Sequence, residues 1–526
     1  MNKVLASLLL ALMTAPLRAQ IPADVPQLVV GITVDQLRTD YIMALQHLFG
    51  EKGFKRLMKE GLVYENVTFG FPNVDCSSAL SVIYTGTYPF YNGIPSDKVY
   101  NLSLRREEFA LNDPEKIGNY TDETYSPKNL KTSTLSDEIK IVGNGLGRVF
   151  SVAPSAQHAI ISAGHAANSA FWLNEKNGKW ATTTYYLDVP VYVEQRNYNQ
   201  SLSLRIDTLA WVPLLSPEKY TALPYLRKDF PFKHIFPENR YDKYAQFKTT
   251  ALVNTEVTAV AKDFLDKGLL GRRGYLDMLN VGYTAGTYQN KTIQLYSLEI
   301  QDMYVRLDKE IADLLDYIDR TVGLKRTVIF LASTGYFRGE GKESSQYNIP
   351  DGEFYPKRAV SLLNMYLMAL YGQGDWVAGY HNRQIYLNHK LVKEKDLKLD
   401  EIQSQAAEFL IQMAGVQDVF TSRRLLLGNS NEHIDALRRG YYPKLSGDIL
   451  LELNPGWEVV YEDVHDTREY VRGNAIPSPL FILSEKIKPQ HITRPIKATE
   501  IAPTVARLLR IRSPNGSTES PLPEVE

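Results

Sequence analysis

Cysteine is nearly missing: Cys76 is the single one in 526 residues. One thiol excludes an intramolecular disulfide, and it leaves no cysteine at the leader's cut site to carry a lipid. Charge of one sign is missing too. The 59 Lys and Arg against 60 Asp and Glu leave a net charge of −1, so charge points to no nucleic acid and no anionic membrane surface as partner. Beyond the leader, no run approaches 18 uninterrupted apolar residues, which excludes a membrane-spanning helix from the mature chain. Internal repeats and low-complexity tracts are also lacking.

What is present starts with MNKVLASLLLALMTAPLRAQ. Lys3, an apolar stretch from Val4 to Leu17 and then Ala19 read as a secretory signal over residues 1–19, leaving a mature chain of 20–526. Export without a disulfide framework points to a bacterial envelope, the periplasm of a Gram-negative cell. A hydrophobic share of 44% in so long a chain is enough for a large buried core.

Apolar runs recur at QLVVGITVD (27–35), RVFSVA (148–153), YLDMLNVGYT (275–284), TVIFLAS (327–333), GDILLEL (447–453) and PLFILS (479–484), with helical segments between them. Alternation of this kind predicts an α/β fold around a largely parallel central sheet flanked by helices. Between the third and fourth runs, Ile300, Met303, Tyr304, Leu307, Ile311, Leu314, Leu315 and Ile318 keep helical spacing, with Ser297 as N-cap and Gly323 as the stop. TTALVNTEVTAVAKDFLDKG predicts a second helix ahead of strand 275–284. Stretches at roughly 100–135, 173–245 and 338–445 are rich in Tyr, Asn and Pro and read as cap insertions over the carboxyl ends of the strands, where open α/β sheets bind ligands. Their tyrosines, Tyr336, Tyr347, Tyr355, Tyr371 and Tyr380 among them, suit a binding surface and a polar-trimmed core equally.

Three residues stand out chemically. Asp35 follows a buried strand, where a carboxylate needs a metal, a partner or a helix N-terminus to cap. Cys76, in VDCSSALS, falls at a helix N-terminus, where a thiolate gains from free N–H groups, although a buried cysteine is more often inert. His165, in AGHAAN, sits among small residues and reads as structural.

VVGITVDQLRTDY, SVIYTGTYPFYNGI, SAGHAANSAFWL, LEIQDMYVRLDKEIADLLDYID, YYPKLSGDILLELNPGW and EIAPTVARLLRIRSPNGSTESPL together resemble the alkaline phosphatase superfamily, and within it the exported bacterial phosphatases of the PafA type, from about residue 27 to 520. The resemblance implies a Thr or Ser nucleophile and two zinc ions held by six Asp and His ligands. Position by position, it puts the first metal ligand on Asp35 and the nucleophile on Cys76. The Asp and His after the third strand fall on Thr284 and Tyr288, and the adjacent Asp and His of the fourth on Ser333 and Thr334. The last His falls on Arg468, or on His465 across a small gap. The phosphate-contacting Asn falls on Asp97, and the Lys and Arg on Ser155 and Gln157. Formylglycine formation is not expected, because it requires a Pro or Ala two residues on and an Arg four residues on, where this chain has Ser78 and Leu80. A cysteine-dependent phosphatase loop would need a nearby Arg, which the same run lacks.

The expectation is therefore a catalytically inactive relative with a binding or scaffolding role in the envelope, needing no cofactor and partnered by another envelope protein. The alternative is an active phosphomonoesterase or phosphodiesterase using Cys76 and a zinc site rebuilt from Asp35, Asp75, Cys76 and His465.

Overall fold

Strand β1 (Leu28–Asp35) is buried down to its half-buried last residue, because it lies near the middle of a ten-stranded sheet. The computed structural model describes residues 26–187, 189–220, 232–237, 240–290, 297–338, 351–462, 467–473 and 475–525. The leader, Tyr347 and His465 lie outside these residues. The other strands of the sheet are β2 (Leu62–Tyr64), β3 (Gly118–Asn119), β4 (Val149–Ala153), β5 (Ser169–Leu173), β6 (Trp180–Thr183), β7 (Asp277–Thr284), β8 (Thr327–Ser333), β9 (Leu480–Leu483) and β10 (Gln490–Ile492). Their order is β10-β2-β9-β8-β1-β7-β4-β5-β6-β3. Parallel pairing joins β8, β1, β7, β4 and β5, while β9 and β6 run against their neighbours.

Helices cover both faces, as buried parallel strands require. Helices α1 (Cys76–Thr85) and α2 (Ala156–Ala163) take one face, and α3 (Leu252–Asp266) and α4 (Leu298–Thr321) take the other. Leu28, Val30, Ile32 and Val34 pack with Val257, Val260, Leu307 and Ile311 of α3 and α4. Val29 packs instead with Ala79, Leu80 and Ile83 of α1, and Thr33 is hydrogen-bonded to His158 of α2. Since strand side chains alternate, this register carries Asp35 to the α1 side. Helix α4 starts where its spacing predicts, with the Ser297 hydroxyl accepting from the Ile300 amide at 3.4 Å, and Gly323 follows at φ +90°.

Two of the predicted strands sit differently from the simple alternating series. PLFILS supplies β9, which pairs antiparallel to β8. GDILLEL supplies Ile449–Leu453, which leaves the central sheet for a four-stranded one formed with Val377–His381, Gln384–Leu387 and Val416–Thr421. There Leu450 and Glu452 are only half-buried between buried Ile449, Leu451 and Leu453, the alternation of a sheet covered on one face. This second sheet, with helices Pro356–Tyr371 and Leu399–Leu410, has its own core around Leu363, Trp376 and Ile385. It leans on the hairpin after Asp97, where the Tyr100 hydroxyl donates to the Ala378 carbonyl at 2.5 Å. Among the described residues, no helix is long and apolar enough to cross a membrane.

Candidate functional site

Helix α1 begins at Cys76 with Asp75 as its N-cap, and the cap is reciprocal. Asp75 Oδ1 accepts from the Ser78 amide at 3.0 Å and the Ser78 hydroxyl at 2.7 Å, while Ser78 Oγ accepts from the Asp75 amide at 3.0 Å. The remaining Asp75 oxygen accepts from the Asp97 amide at 2.6 Å, and Asp97 Oδ1 accepts from the Ser77 amide at 2.9 Å. A helix N-terminus is an anion site because its first N–H groups are unpaired. In this helix the Ser77 and Ser78 amides are both claimed by carboxylates of the chain itself.

Asp35 does not cap the next helix, which starts at Thr39 with Arg38 as N-cap. Its carboxylate accepts instead from the Thr334 hydroxyl at 3.0 Å, the Tyr336 hydroxyl at 3.1 Å and the Gln36 amide group at 3.3 Å. Gln36, at φ +63°, ties the same two segments together: its backbone N–H donates to Thr334 Oγ1 at 2.9 Å, and its side-chain oxygen accepts from the Arg338 amide at 2.8 Å. Arg338, exposed at the mouth, holds its guanidinium 5.7 Å from the Tyr336 ring centroid and interacts electrostatically with Tyr336, Asp97, Asp35 and Asp75. Sequence reasoning missed Gln36, Arg338 and the role of Tyr336. The available signal was YFR directly after the Ser-Thr-Gly turn of a buried strand.

Electrostatics here run against a thiolate. Burial, the carboxylates of Asp35, Asp97 and Asp75, and a hydrogen bond to Asp35 all push the Cys76 thiol well above its ordinary value. The helix dipole that favours a thiolate is outweighed by like charge. Burial also raises Asp35, against the opposing hydrogen bonds from Tyr336, Gln36 and Thr334. Asp75 is raised by burial and then by Asp97.

The other positions assigned by the resemblance are engaged in packing. Ser333, buried, donates to the Leu37 carbonyl at 2.6 Å. The Thr284 backbone is paired through both its N–H and C=O with the Asn254 side chain. Tyr288 stacks on His234 with centroids 4.0 Å apart and meets the edge of Trp211. Ser155 and Gln157, half-buried, open α2 at the same edge of the sheet. Arg468 is not brought to the site: it lies exposed on Thr467–Tyr470, paired with Glu353 at 2.6 Å and Glu458 at 2.7 Å. His165 lies elsewhere as well, its ring nitrogens within 2.9 Å of Asp137 and of the Leu130 carbonyl. Burial opposes its charge, while Asp137 and the Leu130 carbonyl raise its pKa, and with both ring nitrogens engaged it serves as a structural residue.

Two zinc ions do not fit the donors present among the described residues. Among the described residues, no group of three or more His, Cys, Asp or Glu is arranged to hold a metal. Hydroxyl-bearing Thr284, Tyr288, Ser333 and Thr334 stand at four of the assigned ligand positions beside the Asp35 carboxylate, and structural zinc needs about four nitrogen, sulfur or carboxylate donors.

The turn that brings Tyr336 to Asp35 requires glycine. Gly335 sits at φ +72°, and a methyl group there would overlap the Phe69 ring. Gly335→Ala is expected to destabilise the protein by about 1–3 kcal/mol, read as a lower urea midpoint.

The model of the family described as type I phosphodiesterase / nucleotide pyrophosphatase matches residues 29–475. A protein of Myroides odoratus named calcium-transporting ATPase is 30% identical over 95% of this chain and 94% of its own. Alkaline phosphatase PafA of Elizabethkingia meningoseptica is 27% identical over 95% and 94%. The solved structure of wild-type PafA superposes with a TM-score of 0.82 at 25% identity, covering 95% of this chain and 98% of that one.

Proposed function

Since the chain belongs to the type I phosphodiesterase / nucleotide pyrophosphatase family, within the alkaline phosphatase superfamily, we propose that it keeps the fold without the two-metal phosphatase chemistry and serves as a binding or scaffolding protein of the bacterial envelope. The observation that carries this reading is the state of the α1 N-terminus: its Ser77 and Ser78 amides already hold Asp97 and Asp75. A phosphate would have to displace carboxylates from the donors it needs and then remain beside their charge. The hydroxyl and aromatic side chains at the assigned ligand positions support the same reading. Export by the leader and a periplasmic location, in keeping with the bacterial phosphatase relatives, belong to this proposal, as does another envelope protein as partner.

The competing reading, hydrolysis by Cys76 with a rebuilt metal site, asks for a thiolate where burial and three carboxylates oppose one. It also asks for Asp75 as a ligand, although both of its oxygens are engaged.

The test is the zinc content of the mature protein, purified without chelator and dialysed against zinc, together with an aryl phosphate assay. Far less than one zinc per chain is expected, and background hydrolysis that neither Cys76→Ser nor Asp35→Ala alters. About two zinc ions per chain, the family's complement, would overturn the reading.

A further inference from the structure

We propose that Thr334–Arg338 is a resident strap that occupies the mouth of the degenerate site, so that Cys76 is reached only when the strap lifts. The proposal rests on the binding-protein reading above and adds what fills the place left by metal and phosphate.

Three kinds of contact hold the strap down. Hydrogen bonds from Thr334 and Tyr336 to Asp35, and from the Arg338 amide to Gln36, staple it to the end of β1. Phe337 is buried, edge-on to Tyr41 with centroids 5.7 Å apart and with the Arg38 guanidinium 5.1 Å from its ring centroid. Gly335 lets the backbone pass against Phe69. The result is a five-residue segment in which alternate side chains anchor and cover. Phe337 points into the core, while Tyr336 packs with the cluster that contains Cys76 and Phe69. Cys76, in that cluster, is 8% exposed. The Arg338 guanidinium, 5.7 Å from the Tyr336 ring centroid, adds electrostatic attraction to Tyr336, Asp97, Asp35 and Asp75.

The chain's single thiol reports directly on the strap. A neutral aromatic disulfide is added to native protein, and release of the thiopyridone is followed at pH 8. Labelling of the native chain is expected to be slower than that of the urea-unfolded chain by about 100-fold or more, since the thiol is reached only through local opening. Tyr336→Ala, which removes the covering ring and one staple, is expected to speed native labelling by about 10-fold or more. Tyr336→Phe, which keeps the ring and loses only the hydrogen bond to Asp35, is expected to fall between the two.

Arg338→Gln separates access from ionisation. If the strap limits the reaction, the rate rises as a charge contact is lost. If thiol ionisation limits it, the rate falls, because the cation favouring the thiolate is gone. A fall in Arg338→Gln, an unchanged rate in Tyr336→Ala, or native labelling within about threefold of the unfolded chain each overturns the proposal. Arg468→Gln, on the exposed hairpin, should match the parent. Zinc uptake by the parent protein would overturn the binding-protein reading and leave the protection of Cys76 standing, whereas fast labelling of the parent would do the reverse.

Discussion

Asp97→Asn is expected to raise the thermal unfolding midpoint at pH 8 and to leave it unchanged at pH 4. Asp97 and Asp75 share the N-terminus of α1, bridged by the Asp97 amide on Asp75 at 2.6 Å. Burial and then the Asp97 charge raise Asp75 above its ordinary value. A carboxyl raised by folding binds its proton more tightly in the native state than in the unfolded one, so stability is greatest at low pH. It declines as pH rises from the ordinary aspartate range through the raised native value, and above that it stays reduced. Removing the neighbouring charge lowers the native pKa of Asp75 and recovers about 1.4 kcal/mol for each unit removed. At pH 4 Asp75 is already protonated in the folded protein, and there is no repulsion to relieve. The amide oxygen of Asn can still accept from the Ser77 N–H, so the helix cap is kept. Scanning fluorimetry of the two proteins across pH 4–8 checks this. A midpoint lowered at both ends would show that the charged cap on Ser77 outweighs the repulsion.

The central sheet was legible because its strands are continuous apolar runs ended by polar residues. TVIFLAS matches β8 from Thr327 to Ser333, and helix α4 follows its apolar spacing from Ser297 to Gly323. The placement of GDILLEL was not legible, since an apolar run states its burial and not its sheet. The site was legible only in part, for a reason of distance. Cys76 at the start of α1 and Asp35 at the end of β1 are local readings that a strand end and a helix cap allow. That Asp97 would take the Ser77 amide depends on a meeting across 20 positions, and Tyr336 meets Asp35 across 301. No periodicity records such a meeting. Arg468 shows the converse: position along a resemblance put it near the site, and the fold spends it on Glu353 and Glu458 at the surface.

Restoring one pair of family ligands is expected to damage the protein without recovering a metal. In Ser333→Asp/Thr334→His, the new carboxylate replaces a buried hydroxyl that donates to the Leu37 carbonyl at 2.6 Å, so an acceptor faces an acceptor. An uncompensated buried charge of this kind costs about 3–5 kcal/mol. At the next position an imidazole must fit where Thr334 is fully buried, and the hydroxyl that joins Asp35 to the Gln36 amide is lost. Overpacking adds about 1–3 kcal/mol. Zinc would offset these losses only by binding the folded state in excess of its dissociation constant. The next assigned positions still offer only the Thr284 hydroxyl and a Tyr288 ring stacked on His234, not the carboxylate and imidazole that zinc needs. The double variant should therefore unfold at a much lower midpoint than the parent, equally with and without zinc. A zinc-dependent rise would mean that donors at this strand end are nearer to a working set than Thr284 and Tyr288 suggest. The absence of any rise would support the proposal that this strand end holds no metal, its hydroxyls being used instead in packing, as Ser333 is on the Leu37 carbonyl.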